Sequence, residues 1–248
     1  MAARQAGSHY DVSNSRIRVL SYNVHGLRGD AEAVARVVGA CRPDVVCLQE
    51  APRLLRWQSQ RRRLDRMLGL VPAISRRTGG LAILCRPGIE VHRIGHRVLR
   101  RYPGLQVRTL SMVALQVEGR PLLVGSTHLD LHPGARLHHA GEAVEYLTAF
   151  AMENPGPSVL AAGTNSVPGT SAWRLITAGL RDAVAEHPWG EAETFPARNP
   201  RRRIDGLFTS GPVEVRRAGV PADLADPADM ADASDHRPVL ADLALKTP

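Results

Sequence analysis

Aromatic residues are scarce in this chain, at 4% of its 248 positions. Proteins that bind single-stranded nucleic acid without sequence preference stack successive bases on aromatic rings. The scarcity therefore argues against a binding module of that kind. No apolar run is long enough to cross a bilayer, and residues 1–16 lack the apolar core of a signal peptide. We therefore expect a cytoplasmic protein without a membrane span.

Cysteine and lysine are also rare. The three cysteines, Cys41, Cys47 and Cys85, lie in or beside apolar runs, and their spacing matches no metal or redox motif. We expect them to be buried thiols in a reducing compartment. Among the 32 lysine and arginine residues only Lys246 is a lysine, so arginine carries nearly all of the positive charge.

The net charge of +8 and the sequence pI of about 10.3 suit an anionic partner, such as nucleic acid, a phosphate ester or an acidic lipid headgroup. Much of this charge lies in four arginine clusters, at residues 61–63, 76–77, 100–101 and 201–203. The first three clusters fit ordinary solvated arginines on the surface as well as they fit a binding site for an anion. The fourth directly precedes Ile204 and Asp205, which belong to a motif described below.

The apolar pattern predicts strands alternating with helices, beginning with a β-α-β unit in which Asp30 caps the first helix. The length suits one large α/β domain, predicted over residues 17–246, with a flexible arm at residues 1–16. The residues from Pro221 to Ala233 are predicted to be a surface loop. Strands are predicted at residues 17–22, 45–48, 81–84, 110–117, 122–126, 159–162, 204–208, 213–215 and 238–243, and helices at 30–41, 59–68, 135–151 and from 171.

Parallel units mixed with hairpins predict an α/β fold in which two mixed β-sheets pack face to face between flanking helices. Polar residues follow or precede several of the apolar runs and are predicted to meet along one rim of the sheets; they are Asn23, Glu50, His128, Asn165, Asp235 and His236. Rims built from strand ends are where sites form in such folds.

Six short motifs occur in a characteristic order: SYNVHG at 21–26, CLQE at 47–50, STHL at 126–129, NSVP at 165–168, RID at 203–205 and SDHRP at 234–238. Together they resemble the endonuclease/exonuclease/phosphatase superfamily, which has the deoxyribonuclease I-like fold, a four-layer α/β sandwich. The resemblance extends from about Ile17 to Leu243. It implies a metal-dependent phosphoesterase whose substrate contains phosphate, either nucleic acid or a small phosphorylated molecule.

The resemblance also implies the site residues. A Mg²⁺ or Mn²⁺ ion would be held by Glu50, Asn23 and Asp235. The catalytic residues would be His236, Asp205, His128 and Asn165, with Asp205 orienting the imidazole of His236. The substrate would be bound by Arg203, Arg202, Tyr22 and His25. The sequence does not predict an oligomeric state.

One residue departs from the family pattern, which is Gly-Asp-any-Asn at this point. Aligning Asn165 and Pro168 places Gly163 where the family has the aspartate that activates water. Three explanations are open: an engineered inactive variant, a natural relative adapted to binding or to another metal-assisted reaction, or an enzyme that recruits another base. Asp130 and His132 are candidates for that base, and with His128 they could also form a zinc site. Binding of double-stranded DNA without cleavage is a further alternative.

Overall fold

Twelve strands form two six-stranded mixed sheets in the computed structural model of the protein, which describes residues 14–246. The first sheet has the order β11-β12-β1-β2-β4-β3. Its strands are β1 (Asn14–Asn23), β2 (Val45–Gln49), β3 (Val71–Arg76), β4 (Leu81–Cys85), β11 (Val213–Gly219) and β12 (Val239–Lys246). β1 and β2 are parallel, and the other pairs in this sheet are antiparallel.

The second sheet has the order β5-β6-β7-β8-β10-β9. Its strands are β5 (Glu90–Val98), β6 (Thr109–Val117), β7 (Arg120–His128), β8 (Ser158–Gly163), β9 (Arg181–Asp182) and β10 (Asp205–Ser210). β7 and β8 are parallel, so their last residues, His128 and Gly163, lie at the same edge. The α-helices are α1 (Ala31–Cys41), α2 (Trp57–Leu68), α3 (Pro133–Glu153), α4 (Ser171–Gly179), α5 (Ala183–Glu186) and α6 (Pro227–Ala233).

The side chains form three buried layers, one between the sheets and one on the outer face of each. Alternate residues of β1 separate these layers: Ile17 and Val19 face the second sheet, whereas Leu20 and Tyr22 pack under helices. Helices α1, α2 and α6 cover the first sheet, and α3 and α4 cover the second. The predicted four-layer α/β sandwich is therefore confirmed.

Gln49, at the end of β2, connects the two sheets in the interior. Its side-chain amide nitrogen lies 3.2 Å from Oγ of Ser21 in the first sheet and 3.4 Å from Oγ of Ser126 in the second. All three residues are buried. This polar contact lies directly beneath the rim, because Glu50 is the next residue of the chain.

Several local predictions require correction. Residues 227–233 form helix α6 rather than loop, because Asp226 caps the helix and Met230 and Ala233 pack against the core. β3 and β5 were not predicted, since their largely exposed residues do not alternate as an amphipathic strand does. β1 begins at Asn14, so the predicted arm can extend only over residues outside the described part of the chain.

Candidate active site

His128, Gly163 and Asp205 lie in register on three neighbouring strands of the second sheet. His128 pairs with Gly163 across the parallel β7 and β8, and Asp205 pairs with Gly163 across the antiparallel β8 and β10. Gly163 therefore lies between the two predicted catalytic residues. A Cβ built on it would lie 3.4 Å from both Nε2 of His128 and Oδ1 of Asp205.

His236 and Asp205 form a buried pair. Nδ1 of His236 lies 2.7 Å from Oδ2 of Asp205, and their side chains are 8% and 3% exposed. The hydroxyl of Thr194 donates a second hydrogen bond to the same oxygen, at 2.6 Å, and accepts one from the backbone N–H of Ile204. The ring of Phe195 packs against the imidazole, with centroids 5.0 Å apart. The imidazole is therefore fixed in orientation by its carboxylate partner and by packing.

Two opposing effects act on the pKa of His236. Burial lowers it, but the charge and hydrogen bond of Asp205, with smaller contributions from Asp235 and Glu50, raise it above the usual value for histidine. Together the carboxylates raise the pKa by more than burial lowers it. Asp235 directly precedes His236, and Oε1 of Glu50 lies 3.8 Å from Nδ1 of His128, which only β8 separates from Asp205. Both carboxylates therefore lie on the same side of the molecule as the pair.

The first sheet supplies the acidic half of the rim. Glu50 follows β2 with a φ of 49°, in the left-handed region that glutamate rarely adopts. The amide nitrogen of Asn23 donates to Oε1 of Glu50 at 3.3 Å, and the amide oxygen of Asn23 accepts from the N–H of His25. The imidazole of His25 lies 3.5 Å from Oδ1 of Asp235. These four predicted residues are thus connected to one another.

The donor chemistry of this half suits a hard divalent cation. The carboxylates of Glu50 and Asp235 are each 41% exposed, so oxygen atoms of both can reach a hydrated ion. Magnesium keeps several waters and binds through one or two protein carboxylates. Residues 14–246 contain no cluster of three or more His, Cys, Asp or Glu side chains that would enclose a metal. The two exposed carboxylates therefore suit a cation that keeps most of its water ligands.

His128 lies between the two halves, with a nitrogen donor near each of its ring nitrogens and the carboxylate of Glu50 farther away. Nδ1 lies 3.1 Å from Nη1 of Arg108 and 3.8 Å from Oε1 of Glu50, while Nε2 lies 3.1 Å from the amide nitrogen of Asn165. A neutral imidazole has one acceptor nitrogen, so it accepts from only one of these donors at a time. Burial, followed by the charge of Arg108, holds the pKa of His128 well below the usual value, which favours the neutral ring.

Arg108 was not predicted as a site residue, because one arginine among so many carries no distinguishing signal. Its guanidinium is buried and forms an ion pair with Asp130, with Nε lying 3.5 Å from Oδ2. The other oxygen of Asp130 accepts from the N–H of His132, and the imidazole of His132 caps α3. Asp130 and His132 are thus engaged elsewhere, so this placement supports neither the alternative base nor the zinc site.

Two predicted substrate contacts lie away from the open rim. The ring of Tyr22 is buried beneath α1 and α6, and burial raises the pKa of its hydroxyl. Arg203 forms an ion pair with Asp182 and stacks over Trp173, with Cζ 4.9 Å from the ring centroid. Arg202 is exposed, as a substrate contact would require. The substrate-binding roles of these residues remain predictions, and the placement of Tyr22 and Arg203 does not favour them.

Comparison with known proteins agrees with the observed fold. The model of the endonuclease/exonuclease/phosphatase family matches residues 20–236. The chain belongs to this family. No curated protein matches the sequence. No helix in residues 14–246 is both long and apolar enough to cross a membrane.

Three solved structures illustrate the likeness. A Bacteroides thetaiotaomicron endonuclease/exonuclease/phosphatase family protein is 18% identical, with a TM-score of 0.79 over 95% of this chain and 100% of that chain. The mannosyl-6-phosphatase Bt3783 of the same organism is 20% identical, with a TM-score of 0.77 over 92% and 99%. Truncated Caenorhabditis elegans TDP2 is 20% identical, with a TM-score of 0.71 over 92% and 97%. At these identities the structures establish the fold that the family members share.

Proposed function

We propose that this protein is a divalent-metal-dependent phosphoesterase that hydrolyses a phosphodiester or phosphomonoester. The observation that carries the proposal is the buried His236–Asp205 pair, 2.7 Å apart, facing the same rim as the exposed carboxylate of Glu50. Family members include phosphatases and nucleases, and they generally use divalent metals. The free, buried cysteines suit a reducing compartment, so we place the protein in the cytoplasm.

The metal would be Mg²⁺ or Mn²⁺, held by Glu50 with Asn23 and Asp235. When bound it would neutralise charge on the phosphoryl oxygens. Asp205 orients the imidazole of His236 so that Nε2 faces the phosphate, where the protonated ring can donate a hydrogen bond. Asn165 and neutral His128 would position another phosphoryl oxygen. The exposed Arg202 would attract the anionic substrate.

A second candidate is a member of this family that binds an anionic ligand, or performs another metal-assisted reaction, without hydrolysing it. Gly163 favours this candidate, because the side chain expected to activate water is missing there. Loss of a general base lowers the rate by about 10²–10⁴-fold. Slow hydrolysis is therefore compatible with the first candidate, whereas a complete absence of hydrolysis would indicate the second.

The experiment is a hydrolysis assay on bis(p-nitrophenyl) phosphate, p-nitrophenyl phosphate and a short DNA duplex, with Mg²⁺, Mn²⁺ or EDTA. We expect metal-dependent release of product that EDTA abolishes. His236→Ala should lower kcat by about 10²-fold or more. His92→Ala provides the matched control, since His92 is 55% exposed on β5. Absence of turnover, or turnover indifferent to His236→Ala, would exclude hydrolysis at this site; metal-dependent binding of phosphate without turnover would support the second candidate.

A further inference from the structure

Two consecutive leucines are exposed in the segment between Glu50 and α2. Leu54 and Leu55 are 72% and 86% exposed, and together they are called the leucine tip below. Single exposed apolar side chains are common on protein surfaces, but two large adjacent ones form a local apolar protrusion. Their exposure to water is unfavourable, and burial in another apolar phase would remove that cost.

The backbone on both sides of the leucine tip is anchored by hydrogen bonds. Before the tip, the carbonyls of Ala51 and Pro52 accept from the guanidinium of Arg61. The carbonyl of Arg53 accepts from Nε of Arg77 at 3.0 Å. After the tip, the first N–H of α2 donates to the carbonyl of the first leucine at 3.2 Å. The two leucines therefore project from a segment that is held in place.

Positive charge surrounds the leucine tip. Three surface depressions border it, and their lining includes five arginines: Arg28, Arg53, Arg56, Arg62 and Arg77. Among the described residues that line these depressions, Glu50 is the only carboxylate. An apolar protrusion within a ring of arginines is complementary to a surface that is anionic outside and apolar beneath.

We propose that the leucine tip binds this protein to the surface of an anionic lipid bilayer. The two leucines enter the boundary between headgroups and acyl chains, and the surrounding arginines contact lipid phosphates. Trp57, the half-buried first residue of α2, suits the headgroup level, where tryptophan is enriched. Duplex DNA would also attract the arginines, but its phosphate surface offers no apolar phase to the leucines. The lipid surface accounts for both features.

This surface adjoins the candidate active site. Glu50 and both leucines line the same depression, so binding through the leucine tip brings the carboxylate of Glu50 close to the lipid headgroups. The inference goes beyond the proposed phosphoesterase function and does not depend on it, because a protein that hydrolyses nothing could still bind vesicles. Vesicle binding and hydrolysis are therefore separate measurements, and either can fail without the other.

The experiment is cosedimentation of the full chain with vesicles of phosphatidylcholine, with and without phosphatidylglycerol. We expect binding to the vesicles that contain phosphatidylglycerol, weakening as the NaCl concentration rises, and little binding to phosphatidylcholine alone. The double variant Leu54→Ser/Leu55→Ser should bind at least about tenfold more weakly, because it removes the inserted apolar groups. Met152→Ser is the matched control, since Met152 is 82% exposed near the end of α3 and should not contribute.

A second variant tests the arginines. Arg56→Gln/Arg62→Gln removes two exposed charges beside the leucine tip and should also weaken binding at least about tenfold, with a smaller dependence on NaCl. Absence of binding to phosphatidylglycerol vesicles at low salt would overturn the proposal. Equal binding to both kinds of vesicle would overturn it too, as would a leucine variant that binds as well as the wild type. Binding to a DNA duplex but not to vesicles, weakened in the leucine variant, would assign the surface to nucleic acid instead.

Discussion

His128 occupies the space into which a side chain at position 163 would extend: a Cβ built on Gly163 would lie 2.8 Å from Cδ2 of His128. Carbon atoms do not approach this closely without a shift. His128 is fixed on the other side by Arg108 and Asn165, so the ring cannot move without disturbing those contacts. The glycine is therefore a steric requirement of the present arrangement as well as a missing carboxylate.

The first prediction concerns stability. Gly163→Ala should lower the free energy of unfolding by about 1–3 kcal/mol, the usual effect of overpacking a buried site. Denaturation in urea measures it. Gly39→Ala is the matched control, because Gly39 lies in α1 with no atom within 4 Å of its Cβ position, and alanine there should stabilise by about 0.5–1 kcal/mol.

Gly163→Asp introduces the same Cβ, so it displaces His128 while adding a carboxylate. We expect its kcat to stay at or below that of the wild type. A rise in kcat of about tenfold or more would show that the His128 ring moves aside easily and that the missing carboxylate alone limits the reaction.

The second prediction concerns the ionisation of His236. In Asp205→Asn the effect of burial remains while the negative charge is gone, so the pKa of His236 should fall below that of the wild type. Titration of the ring signals by NMR measures this change. The ring signals of exposed His92 should not differ between the two proteins; a His236 pKa that stays raised in the variant would assign the shift to Asp235 and Glu50.

The raised pKa also determines how stability varies with pH. In the wild type, protonation of His236 stabilises the folded state fully below the unfolded pKa of about 6.5. This contribution is lost as the pH rises through the higher folded pKa. Asp205→Asn should lack it, so the stability difference between the two proteins should shrink towards alkaline pH.

The third prediction concerns the segment that carries Glu50. Arg61 is buried in α2, and its guanidinium donates to the carbonyls of Ala51 and Pro52, directly after Glu50, as well as to Leu81 and Ser75. Burial lowers its pKa to about 10. Lysine has fewer donors and no planar fork, so Arg61→Lys should loosen this segment.

We expect Arg61→Lys to weaken Mn²⁺ binding about tenfold, as loss of a group that supports a metal ligand does. Calorimetric titration with Mn²⁺ provides the measurement. The neighbouring Arg62→Lys makes the same chemical change at an exposed position and should leave the Kd unchanged. Equal affinity for all three proteins would mean that Arg61 does not support the cation site.

The sequence predicted the architecture because short apolar runs mark the central strands and apolar residues repeat with helical spacing in α1. It also predicted that polar residues would meet at the rim, and the structure brings His128, Asn165 and Glu50 together there. It did not predict the orientation of Arg61, whose cluster fitted a solvated surface equally well. The side chain is turned inward by three buried carbonyls and the hydroxyl of Ser75, which only the folded chain brings together.

The sequence also could not predict the contacts that loop residues form in the site, because these too depend on the folded chain. Thr194 and Phe195 lie in an irregular segment, where no periodicity indicates which side chain faces inward. Their contacts with Asp205 and His236 depend on how that segment returns across the sheet edge. Within residues 14–246 no donor reaches the buried Oδ1 of Asp205, which the RID motif alone does not specify either.

Gln49 gives the rim a property that neither sheet could provide alone. Its amide reaches serines of both sheets, and displacement of one sheet by a residue would leave buried donors without acceptors. The offset between the chain segment carrying Glu50 and the strand carrying His128 is therefore fixed when the protein folds. The entropy lost in bringing these two groups together is incurred before any ligand arrives, so the pocket is preorganised for its ligand.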